Sequence, residues 1–334
     1  MRIRLLMKMA AAVGLTLSCA TVMAQMNWRV ASLSQPGSVL VGFIDEMDEK
    51  ITKGSNGAIK AERLYIANEQ EIVAQLVRGR LEMAALSNIA TSVMIPDMAL
   101  LSMPYLWTSE AERDFVTDNY ALPVMRRLFE AKGLVLVGLG EVGWSGVFCK
   151  KSCLTPADVK GMKVRVSPSA ASKFFWVSYD TNGVQLPFSE LIPGLESGLV
   201  EAADLPFAIY VTTPAVQSAP HFVMTRHSHL GSTTLINKAL WDKLTPDQQK
   251  LVVGSLPEVA RVRKAVADDE RPKMEAFKAK GGFIHDLTPE QRAAWAKPVE
   301  PNQAKFVAEV NGASSELWAA LQKGKREFAA RGKK

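Results

Sequence analysis

The segment GMKVRVSPSAASKFFW, residues 161–176, decides the fold. Met162, Val164 and Val166 alternate with Lys163, Arg165 and Ser167, the period-two pattern of a strand. A helical stretch follows at once, with Ser167 as its cap and Pro168 at its first position. A strand running into a helix start is half of a βαβ unit. In open α/β sheets, ligands bind outside the carboxyl ends of the strands. Arg165 stands near such an end. Its guanidinium is a planar fork that matches a carboxylate, and the free N–H groups of the next helix would face the same crevice. On chemistry alone, a wet strand residue paired with an acid is an equal alternative.

The alternation of strand and helix extends in both directions. Residues 27–33 and 58–65 predict strands, 37–57 a helix ended by Gly54 and Gly57, and 67–80 a helix followed by the strand 81–86. Residues 110–133 are helical and 134–140 a buried strand. The segment TPADVKG predicts a short helix capped by Thr155, with Asp158 at its third position. The helical pattern 188–198 and the strand 199–205 follow. From residue 245 onward long charged helices take over, with kinks or a break expected at Pro257 and Pro272. Short connections between alternating elements imply parallel βαβ units in an α/β chain.

The first 24 residues are set apart. A basic start with Arg2, Arg4 and Lys8, an apolar run and small residues before Gln25 predict a cleaved secretory signal peptide. Cys19 hints at lipoprotein processing, but Thr16 stands where such signals take Leu, so cleavage after Ala24 is expected. Removing 24 residues from 334 leaves 310, about two domains' worth, and lowers the formal charge from +6 to +3. That charge, with no basic run interleaved with aromatics, gives no case for nucleic acid. Cys149 and Cys153, in CKKSC, are the cysteines left after cleavage; an exported chain permits their disulfide, and two free thiols are nearly as well supported.

Few patterns suggest catalysis. Gly138, Gly140 and Gly143 match a dinucleotide loop in spacing, but an extended stretch follows instead of a helix, so glycines turning a strand are the favoured reading. His227 and His229 would share one strand face as a metal site wants, yet no acidic or Cys cluster stands beside them; structural or surface histidines are expected. No nucleophile elbow, zinc helix or P-loop occurs. No cofactor and no metal are assigned. Phe174, Phe175, Trp176 and Tyr179 read as core packing.

Five ordered segments carry a resemblance: 68–87 (NEQEIVAQLVRGRLEMAALS), 95–107 (IPDMALLSMPYLW), 154–166 (LTPADVKGMKVRV), 186–206 (LPFSELIPGLESGLVEAADLP) and 227–249 (HSHLGSTTLINKALWDKLTPDQQ). Together they resemble the DctP-type solute-binding proteins of tripartite ATP-independent periplasmic (TRAP) transporters, from about Trp28 to near Arg263. The resemblance implies a periplasmic binding protein-like fold: two α/β lobes, a hinge, a ligand cleft and a long bracing helix. It implies a periplasmic receptor, not an enzyme, that delivers an organic acid to a membrane permease, with the Arg of KxRV, here Arg165, clamping the carboxylate. Lobe I is expected at 25–145 plus about 231–265, and lobe II at 146–230 plus about 266–334. A monomer is expected.

Two departures from the family pattern shape the expected ligand. Many relatives carry a second Arg in a G-F-R context, where this chain has Gly143, Trp144 and Ser145. Relatives often have Asn where Leu205 precedes Pro206. Losing a cation and an amide while offering Trp144, Leu205 and Phe207 points to a monocarboxylate with an apolar or aromatic body. Glu69, Ser87, Asn88 and Ser145 are further cleft candidates, and Asp204 either lines the cleft or holds Arg165. A sensing module for a signalling partner, or a secreted hydrolase, would be the rival functions.

Overall fold

A computed structural model describes residues 25–34, 37–66, 68–310 and 316–332. The expected signal peptide lies outside the described residues. Among the described residues nine strands form one sheet: β1 (Met26–Ser32), β2 (Ile59–Tyr65), β3 (Met83–Ser87), β4 (Leu134–Cys149), β5 (Lys163–Val166), β6 (Asn182–Gln185), β7 (Ala202–Pro206), β8 (His221–Asn237) and β9 (Phe283–His285). Their order is β2-β1-β3-β8-β4-β7-β5-β6, with β9 on β8.

The alternation seen around Arg165 gives the parallel pairs: β1 with β2 and β3, and β5 with β6 and β7. Two long antiparallel strands join these halves. Ser232–Ile236 of β8 pairs with β3, whereas His221–Val223 pairs with β9. The far half of β4, Ser145–Cys149, pairs with β7. One strand pair therefore belongs to both lobes. It is irregular along its length, with register shifts at Leu136/Gly138, Glu141/Gly143 and Ser145/Val147. Such bulges bend a strand and increase its twist. Arg226 of β8 adds a left-handed residue at φ 44° between the two paired stretches. Gly138, Gly140 and Gly143 therefore lie inside a continuous strand, not in a loop that opens a helix. Gly146 is required by contact: a Cβ there would lie 2.3 Å from the Phe222 ring and 2.7 Å from the Val223 carbonyl oxygen.

Each lobe has its own core. Trp28, Ile51, Leu86, Leu100 and Phe129 are buried in the first, Val164, Phe175, Trp176 and Trp295 in the second. The aromatic run packs as expected: the Tyr179 hydroxyl donates to the Trp295 carbonyl at 2.6 Å, and Phe174 stacks on Phe306. The Asp158 carboxylate accepts from the N–H and hydroxyl of Thr155, completing the expected cap. Cys149 and Cys153 are bridged.

A long helix, Val259–Ala279, braces both lobes. At its start Arg261 donates two hydrogen bonds to Glu46, at 2.8 and 2.7 Å, and Arg263 two to Asp118. Near its end Phe277 is buried against Phe207 and Tyr210 of the second lobe. Pro257 falls in the break before this helix, while Pro272 is carried within it. The C-terminal helix, Glu316–Arg331, buries Leu317 and Leu321 in the cluster that holds Val116 and Phe129. Its Lys325 donates to Glu112 at 2.9 Å. This last helix therefore packs on elements of the first lobe, although the sequence expectation grouped it with the second. Among the described residues no helix is long and apolar enough to cross a membrane.

Candidate functional site

At the carboxyl end of β5, Arg165 is 3 % exposed. Its Nε donates to the Leu186 carbonyl at 3.0 Å and its Nη1 to the Ser167 hydroxyl at 2.6 Å. Both acceptors are neutral, so the cation is positioned without being neutralised. A guanidinium has five N–H donors, and three remain for other acceptors. Burial lowers its pKa to about 10, opposed by Asp204 and Glu69, and it stays charged at neutral pH. Because Ser167 is engaged by Arg165, it does not cap the following helix, Ala170–Val177. Ser169 does, its hydroxyl accepting from the Ala171 N–H at 3.2 Å, which corrects the sequence assignment.

Arg165 lines a cavity of about 110 Å³. The same cavity is lined by Glu69, the first residue of the helix Glu69–Val77, whose N-cap is Asn68. Its two carboxylate oxygens accept from the N–H of Ser87 at 2.8 Å and from the Ser87 hydroxyl at 2.7 Å. Burial raises the Glu69 pKa, against the lowering effect of these bonds and of Arg165. Arg165 and Glu69 are the charged residues of the lining; the walls are largely apolar, with Leu40, Ile89, Leu205, Ile209, Leu230 and Val266.

The other sequence candidates lie elsewhere. The Trp144 indole packs edge-on against His229 and donates to Glu110 at 3.3 Å; it is not a cavity wall. Alternation puts Ser145 into the strand pair between Pro206 and Ser228, where it is buried. Phe207 is core, against Phe222 and Phe277. Asn88 lines a separate cavity of about 30 Å³ beside Glu141 and His229. Asp204 stands behind the cavity: it accepts from the Trp176 indole at 2.8 Å and lies 3.6 Å from His227. It supports Arg165 through space rather than by an ion pair. Burial works to raise the Asp204 pKa, but His227, Arg165 and Trp176 hold it below the usual range.

The two histidines of HSH are structural. His227 bonds to Thr225 at 2.8 Å and stacks on Phe175, and His229 bonds to Glu141 at 2.5 Å. Among the described residues no group of three or more His, Cys, Asp or Glu side chains could hold a metal ion. Sequence reasoning missed the cavity residues Leu33, Ser38 and Leu40, Ile209 and Thr212, and Val266. The carboxyl-end rule could have found the first two groups, since they follow β1 and β7 directly. Val266 had no signal, because it reaches the cleft from the bracing helix.

The comparisons with known proteins agree with this architecture. The family model for bacterial extracellular solute-binding proteins, family 7 (DctP), matches residues 30–309. The chain is 27% identical over 218 residues to the 2,3-diketo-L-gulonate-binding periplasmic protein YiaO of Escherichia coli K12, covering 65% of this chain and 66% of that one. Among solved structures, the sugar acid binding protein DctPAm of Advenella mimigardefordensis, in complex with galactonate, aligns with a TM-score of 0.85 at 19% identity. It covers 91% of this chain and 99% of its own. A TRAP periplasmic solute binding protein of Sulfurospirillum deleyianum with bound succinate aligns at 0.82 and 23% identity, covering 90% and 99%. The chain belongs to the bacterial extracellular solute-binding proteins of family 7 (DctP), a family of binding proteins and not of enzymes.

Proposed function

We propose that the chain is a periplasmic receptor that captures an organic acid in the cleft between its lobes and presents it to a TRAP permease. One observation carries the reading: Arg165 is buried at the edge of a cavity, held by two neutral acceptors, with donors left for a ligand. Closure of the lobes about β4 and β8 would exclude water and strengthen that pairing, because charge interactions grow as the dielectric falls. The relatives' ligands, galactonate and succinate, carry the same functional group. The exported location rests on the family and on the leader read from residues 1–24. The division into lobes at Ser145 of β4 and near Arg226 of β8 rests on the shared strand pair; by its packing the C-terminal helix goes with lobe I.

The ligand is a monocarboxylate with a mostly apolar body. The lining supports this by offering one cation and broad apolar walls, of which Leu205 was legible in the sequence while Trp144 and Phe207 contribute nothing to the lining. A second carboxylate would find no second cation in the lining, only Glu69, the apolar walls and neutral groups such as those of Ser38, Gln70, Thr212 and Ser232. The test is a melting-shift panel on residues 25–334 with isovalerate, phenylacetate, succinate, galactonate and leucine, repeated on Arg165→Ala. A ligand at a hundred times its Kd adds about 2.7 kcal/mol. Loss of a buried charged pair costs about 3–5 kcal/mol, so the variant should bind at least ~100-fold more weakly. Shifts undiminished in the variant would remove Arg165 from the site. Tight succinate binding with weak binding of isovalerate and phenylacetate would overturn the monocarboxylate reading.

A further inference from the structure

The charges around the cavity do not balance once an acid enters. Its lining holds one cation, Arg165, and one carboxylate, Glu69, and Asp204 lies behind Arg165 as a second carboxylate. Without a ligand the lining pair is neutral, and a bound carboxylate leaves an excess negative charge in a poorly solvated space. Something must supply a positive charge. We infer that an organic anion enters this cavity together with one proton, which Glu69 takes up from solvent.

The geometry suits Glu69 to this role. It lines the cavity, and each of its carboxylate oxygens is already fixed by one Ser87 donor, leaving lone pairs free for a proton. Once protonated, the carboxyl becomes a hydrogen-bond donor toward the ligand instead of a repelling charge. The charged groups facing it are few. Arg165 on β5 is the cation that acts on it, Ser87 on β3 donates to it, and Asp204 on β7 is buried with Trp176 and His227. Burial already displaces Glu69 toward its neutral form, and an anion in the cavity displaces it further in the same direction. Asp204 is displaced the opposite way and stays ionised, so the two carboxylates divide the roles.

This inference rests on the organic-acid reading, and the experiment separates the two. The probe is the panel acid with the largest melting shift, titrated calorimetrically at about pH 7 in phosphate and in Tris, whose ionisation enthalpies differ. The difference in heat counts protons. The expected result is an uptake approaching one proton per acid bound, with Kd rising up to about tenfold per pH unit across the window above the free Glu69 pKa. Glu69→Gln should take up none and give a flat profile. Ser87→Ala, which removes a donor to the ionised form, should move the window to higher pH and keeps the test alive if Glu69→Gln fails to fold. Zero uptake by the unmodified protein overturns the proposal, as does uptake undiminished in Glu69→Gln. So does affinity that follows sodium concentration instead of pH, or binding confined to leucine, whose ammonium group would supply the charge. If no acid in the panel binds, the organic-acid reading fails first, and the proposal with it.

Discussion

Replacing Asp48 with Asn should stabilise the protein increasingly as pH rises from about 4 to 7, and leave it unchanged below about pH 4. Asp48 sits on the helix Val39–Gly54, 8 % exposed, with no hydrogen-bond partner for its Oδ1. Burial and the nearby Asp45 carboxylate raise its pKa from 3.8 to about 7, only partly opposed by Arg63. The sign follows from linkage. A carboxyl with a raised folded pKa holds its proton in the folded state while the unfolded chain has lost it. Its contribution is fully present below about pH 4 and is lost as pH rises through about 7. At about 1.4 kcal/mol per tenfold, the loss reaches about 4 kcal/mol above pH 7. Asn keeps the shape and cannot ionise, so D48N should recover most of that figure at about pH 8. Urea unfolding of both proteins at pH values from about 4.5 to 8 reads it directly. The two stability curves should meet near pH 4, separate steadily between about pH 4 and 7, and run parallel above that. Curves that coincide at pH 8, or stay apart by a constant amount across the whole range, would refute the buried, unpartnered carboxylate.

Gly146→Ala should destabilise by about 1–3 kcal/mol, because its methyl group would press on the Phe222 ring and the Val223 carbonyl, and neither can retreat within the strand pair; a melting curve unchanged from the unmodified protein would contradict that contact. Reducing the Cys149–Cys153 bridge should cost about 2 kcal/mol, the small entropy expected of a short loop. Melting with and without dithiothreitol, and of the Cys149→Ser, Cys153→Ser pair, measures it, and ligand affinity should be unaffected since both cysteines lie outside the cavity lining.

What the sequence disclosed follows the range of the interactions involved. Lys163–Val166 was legible because strand alternation is local, and the Thr155–Asp158 cap because both partners lie within one turn. Ser167 and Ser169 flank the same proline and are equally good caps by local rules. The choice is made by Arg165, which occupies the Ser167 hydroxyl. Trp144 and Phe207 are expected in the cleft because they stand at or beside positions where the family pattern carries an Arg and an Asn. In space, His229 and Phe277, far along the chain, draw them into packing. The disulfide could be proposed from spacing, but only the fold decides between a bridge and two thiols. The attachment of the C-terminal helix to the first lobe joins residues about 200 positions apart, as in the Lys325–Glu112 pair, and no local pattern encodes it.

Two strands shared between lobes also dictate the order in which this chain can fold. β3 is complete at Ser87, but the strand that pairs with its free edge, Ser232–Ile236, is made some 145 residues later. The first lobe then waits again for Leu317 and Leu321, near the very end. Neither lobe can be finished from a continuous stretch, so the nascent chain carries an open sheet edge while those intervening residues are made. Long-separation pairing of this kind slows folding, because loop closure must precede the contacts that reward it. Release of the whole chain before folding begins is the regime this topology suits, and a truncation within the last helix should trap the first lobe incomplete.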